Sequence, residues 1–97
     1  MIKVNIKNNE ITVSGHANYD DYGKDIVCAS VSSLVISTVN AILKFDEKAI
    51  SYQEKKDLLV INILKKDEIT TKLIGNMIDM LKELEDQYPE NIKLIGG

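Results

Sequence analysis

The chain has 97 residues, 44% of them hydrophobic and 28% charged, with a net charge of −3 and one cysteine. Such a chain makes one domain, 1–97, with a modest core and no internal disulfide. Its lysines are dispersed and its aromatics few, which argues against direct nucleic-acid binding and suits a basic protein partner better. No continuous apolar run approaches the roughly 18 residues of a membrane span, and the N-terminus alternates instead of forming a signal-peptide block. A cytoplasmic protein with no membrane association is expected.

Residues 2–7 alternate, with Ile2, Val4 and Ile6 on one face. Residues 10–15 alternate again through Ile11 and Val13, and the Asn-rich segment between predicts a hairpin turn. Gly15 ends the second strand where the backbone turns sharply or approaches a neighbour. Residues 17–24 are polar and lack an apolar period, which predicts a loop. In it, Tyr19 and Tyr22 are lid side chains or simply pack on the domain, and Gly23 can serve as a hinge. A helix is predicted over about 25–45, because Val27, Val31, Leu34, Val35, Ala41, Ile42 and Phe45 keep helical spacing. Asp25 suits its N-cap.

Residues 48–53 and 58–64 read as two more strands. The nearly unbroken apolar run from Leu58 to Leu64 predicts a central position in the sheet. A second helix is predicted over about 68–88, with Asp67 as cap and Pro89 as stop. Gly75 inside it costs about 1 kcal/mol relative to Ala, which close packing against another element would explain. Residues 91–95 form a short last strand. The order ββαββαβ defines an α+β domain, a mixed sheet with two helices packed on it.

The candidate chemistry lies between Gly15 and Ser32. His16 and Cys28 are the only histidine and cysteine in the chain. A helix beginning at Asp25 or Ile26 places Cys28 in its first turn, where unpaired N–H groups and the helix dipole favour thiolate. The N–H groups of Cys28 and Ala29 would then be available to a developing oxyanion. His16, at the end of a strand, could reach Cys28 across the loop and form a dyad. Asp25 either caps the helix or orients His16. Ser32, one turn after Cys28, either joins the site or bonds back to the Cys28 carbonyl. A lone cysteine is also commonly a small buried hydrophobe. One histidine and one cysteine leave any metal short of ligands, and no metal or other cofactor is expected.

The block Gly15-His16-Ala17, followed by Tyr22-Gly23-Lys24-Asp25-Ile26-Val27-Cys28-Ala29 and Ser32, resembles the bacterial ribosomal-processing cysteine protease (Prp) family. Val39-Asn40-Ala41 and the ending Tyr88-Pro89-Glu90-Asn91-Ile92 extend the likeness along the chain; Ser30 departs from the Gly or Ala frequent in relatives. The resemblance implies a homodimeric enzyme that removes a short N-terminal extension from the basic large-subunit ribosomal protein number twenty-seven. It also implies that His16 and Cys28 are the catalytic pair and that a loop from Ala17 to Lys24 covers substrate. The competing readings are a non-catalytic ribosome-associated binding protein with Cys28 in its core, and a thiol redox sensor. The sensor reading lacks a resolving cysteine.

Overall fold

A computed structural model describes residues 1–15 and 22–96, with the backbone alone for residues 22–25. Strands β1 (Ile2–Ile6) and β2 (Glu10–Ser14) form the N-terminal antiparallel hairpin, closed by the Lys7 N–H donating to the Glu10 carbonyl at 2.9 Å. Helix α1 (Tyr22–Phe45) follows, then the hairpin of β3 (Ile50–Lys55) and β4 (Leu58–Ile63). Helix α2 (Glu68–Gln87) leads into β5 (Ile92–Gly96), which pairs parallel to β1. The five strands lie in the order β3-β4-β2-β1-β5, so the sheet is mixed, as the element order predicts.

Alternation explains which face is buried. Val4, Ile11, Val13, Leu59, Ile61 and Ile92 point to one side and pack beneath the helices. β4 corrects an expectation: it is interior but not central, since β2 holds the middle of the order. Its apolar run is buried on one side only, through Leu59 and Ile61, while Leu58 and Val60 are half-buried.

α1 lies over β3 and α2 over β5. Val27, Val31, Val35, Val39 and Ile42 make the buried ridge of α1. Measured over Ile26–Phe45, α1 is long and apolar enough to cross a membrane, which the search for an unbroken apolar run missed. Serines, threonine and asparagine interrupt the run, yet no charge stands between Asp25 and Lys44. Here its valine ridge is spent on the sheet.

α2 is capped as expected: Asp67 accepts from the Thr70 N–H at 2.8 Å. Its Glu85 carboxylate accepts from the Leu94 N–H at 2.8 Å and so ties the helix to the edge strand β5. Gly75 does not sit in the expected tight contact, because a Cβ there would meet nothing within 4 Å.

Candidate active site

Gly15 is the last described residue before His16. It holds φ +78°, and its N–H donates to the Asp57 carbonyl at 3.2 Å. That bond fixes the exit of β2 against the β3–β4 turn. From Gly15 to the start of α1 at Tyr22 the chain can span at most about 25 Å.

α1 begins at Tyr22, three residues before the expected start. Gly23 and Asp25 thus have helical backbone, so the predicted loop ends before them and Asp25 is not the N-cap. Cys28 falls in the second turn, and its N–H and that of Ala29 lie beyond the first four donors a helix leaves unpaired. The idea that these two N–H groups receive an oxyanion loses its basis. The sequence error has a simple cause: Tyr22, Gly23 and Lys24 carry no apolar period, and a helix start in polar residues is invisible to periodicity.

Cys28 is half-buried and packs against the hydrophobic core. Ser32, one turn on, is also half-buried and opens onto the outer face of α1, which Ile36 and Asn40 continue. Ala29 is exposed. His16 and Tyr19 lie outside the described residues, as do the side chains of Tyr22 and Asp25. The structure therefore brings Cys28 and Ser32 together on one helix face.

Alternation puts Tyr52 with Ile50 on β3 but says nothing of its hydroxyl. Its hydroxyl is buried and finds no hydrogen-bond partner among the described residues. Burial pushes the phenol upward, and the Glu54 charge adds to the effect.

Cys28 is thus a half-buried cysteine on a long helix, and the chain's one histidine follows a strand end in the sequence. The model of the family described as cysteine protease Prp matches residues 1–93. The chain belongs to that family and is a cysteine protease. Among its relatives, the ribosomal processing cysteine protease Prp of Staphylococcus aureus (strain Mu50) is 33% identical over 88% of this chain and 83% of its own. That of Mycoplasma pneumoniae is 35% identical over 95% of this chain and 91% of its own. The fold agrees with solved structures. S. aureus Prp with a covalently linked product peptide superposes with a TM-score of 0.81 at 24% identity, covering 97% of this chain and 95% of that one. S. aureus Prp with a substrate peptide gives 0.78 at 22% identity, covering 96% and 94%.

Proposed function

We propose that the protein is a ribosomal-processing endopeptidase that removes the short N-terminal extension of large-subunit ribosomal protein number twenty-seven, using Cys28 and His16 as a dyad. The Cys28 thiolate attacks the scissile carbonyl carbon and forms a tetrahedral intermediate. His16, protonated, gives its proton to the leaving amine as the C–N bond breaks. Water, deprotonated by His16, then attacks the thioester and releases the extension as a free acid. Asp25 is retained as a group to orient His16, and Ser32 as a polar neighbour of the thiol.

The single observation that carries this reading is the match to Prp over residues 1–93, which contains Gly15-His16 and Cys28 intact. The substrate class is supported by the relatives, which are ribosomal processing proteases, and by S. aureus Prp having been solved with a substrate peptide. The net charge of −3 supports an enzyme that handles a basic protein and does not bind nucleic acid directly, and the alternating N-terminus supports action in the cytoplasm.

The reading includes a homodimer. Its support is the outer face of α1, uncharged from Ile26 to Leu43 and with Ile26 and Ile36 exposed. Light scattering of the purified protein tests it, and a monomeric mass at all concentrations removes it.

The decisive experiment incubates the protein with the host's full-length ribosomal protein and follows intact mass. Loss of an N-terminal peptide by the wild type, and none by Cys28→Ala, is expected. An unchanged substrate mass with the wild type would sink the assignment.

A further inference from the structure

A second feature lies on another side of α1. Where α1 and α2 run side by side they leave a groove of about 600 Å³, lined by Ser30, Ser33 and Ser37 of α1 and by Asn76, Met80 and Glu83 of α2. Ser30 is about 200° round the helix from Cys28, so the groove and the thiol face different ways. The short serine side chains keep the groove open. Met80, 42% exposed, gives it an adaptable apolar wall.

The α2 rim is net acidic. Asp79, Glu83 and Asp86 follow one another at i, i+4 and i+7, with Lys82 the one basic residue among them, and all four are exposed. Like charges at this spacing repel, and carboxylates near a helix C-terminus meet the negative end of its dipole. The last turn carries no basic residue. Ion pairs described in the chain are Lys65–Asp46 and Lys72–Glu68, and neither includes this rim. Glu85 differs, since its carboxylate holds the Leu94 N–H. A net acidic row beside an open groove is complementary to a cationic partner.

We infer that this groove docks a cationic segment of a polypeptide partner, away from the scissile bond. Lysine or arginine heads sit on Asp79, Glu83 and Asp86, and their aliphatic stems lie along Met80. The Ser30 hydroxyl and the Asn76 amide, which line the groove and not the outer face of α1, meet the partner's backbone. A second copy of this chain is a poor occupant, because a two-fold contact sets a patch against itself and these carboxylates would repel. That the partner is the protease's own protein substrate rests on the reading above; the surface and its charge preference do not.

The test measures binding, not cleavage, so it is separate from the catalytic assignment. A fluorescent lysine–alanine repeat peptide is titrated into the full chain, and amide shifts are followed in parallel. Salt-sensitive binding is expected, with shifts at Ser30, Asn76 and Glu83. E83K/D86K should weaken it about tenfold or more, and E83Q/D86N by an intermediate amount. E47K/E54K makes the same change in net charge elsewhere and should leave binding nearly unaltered. Absence of wild-type binding overturns the inference. So does equal weakening by both reversed pairs, which would mean attraction by net charge alone. Groove shifts that follow protein concentration and ignore the peptide would assign the surface to a second copy and overturn it as well.

Discussion

A Cβ added to Gly15 would stand 2.5 Å from the carbonyl oxygen of Met1, and the Gly15 backbone holds φ +78°. Glycine is therefore needed twice over, for its conformation and for the close approach of the first residue of the chain. Gly15→Ala should cost about 2 kcal/mol of stability, within the range of strained backbone positions. Because His16 follows directly in the chain, cleavage should fall further than the loss of folded protein accounts for. Urea unfolding beside a cleavage rate at saturating substrate separates the two effects. Wild-type values in both would remove Gly15 from the machinery.

Gly75 is the opposite case. It lies inside α2, and a side chain there would meet nothing within 4 Å. Gly75→Ala should raise stability by about 1 kcal/mol through helix propensity. A rise in the urea midpoint with an unchanged slope checks this. A fall would mean that the space beside Gly75 is occupied in solution.

These two glycines show what could be read in the chain and what could not. At Gly15 a turn signal at a strand end coincides with a real steric need, so sequence and structure agree. At Gly75 the same residue type carries no packing role, and nothing in one sequence distinguishes the two. The strands were legible because a period of two marks Ile2, Val4, Ile11 and Val13, and α2 because Asp67 and Pro89 bracket it. The start of α1 was not, since its polar first turn has no apolar period. The serine groove was not either, because it exists only between two helices far apart in sequence.

The end of α1 is tied down by an exposed pair. The Lys65 ammonium donates to the Asp46 Oδ2 at 2.7 Å, while the Lys48 N–H donates to Oδ1 at 2.9 Å. Lys65 first, then Lys48, holds the Asp46 carboxyl below its ordinary 3.8. The same bond holds Lys65 above its ordinary 10.5. The carboxylate's contribution is thus present above pH 3.8 and lost as pH falls through the lowered value. That of the lysine is present below pH 10.5 and lost as pH rises through the raised one. Both groups face solvent, so the contribution is small and screened by salt. Asp46→Asn should lower the thermal midpoint slightly at neutral pH and flatten the acid limb of its pH dependence. High salt should narrow the difference. Parallel curves for the two proteins down to pH 2 would show that the pair contributes nothing.

The position of Cys28 sharpens the last prediction. In the first turn of a helix, unpaired N–H groups and the dipole alone could lower a thiol pKa. With α1 starting at Tyr22, Cys28 is in the second turn, where that influence has faded. It also packs against the core. If Cys28 is the nucleophile, the imidazole to pair with its thiolate is His16, the sole one in the chain. Cys28 alkylation in the wild type should then be fast well below the pH of about 8.5 at which a free thiol titrates. His16→Ala should move the midpoint of alkylation up to or beyond that value and slow cleavage at least about a hundredfold, the usual range for a lost general acid–base. Cys28→Ala should abolish cleavage with little loss of stability, since the site is half-buried and Cβ is kept. Cys28→Ser should be very slow, because a hydroxyl is far less acidic than a thiol. An alkylation profile that is the same with and without His16 would uncouple the two residues and defeat the dyad, whatever the cleavage rates.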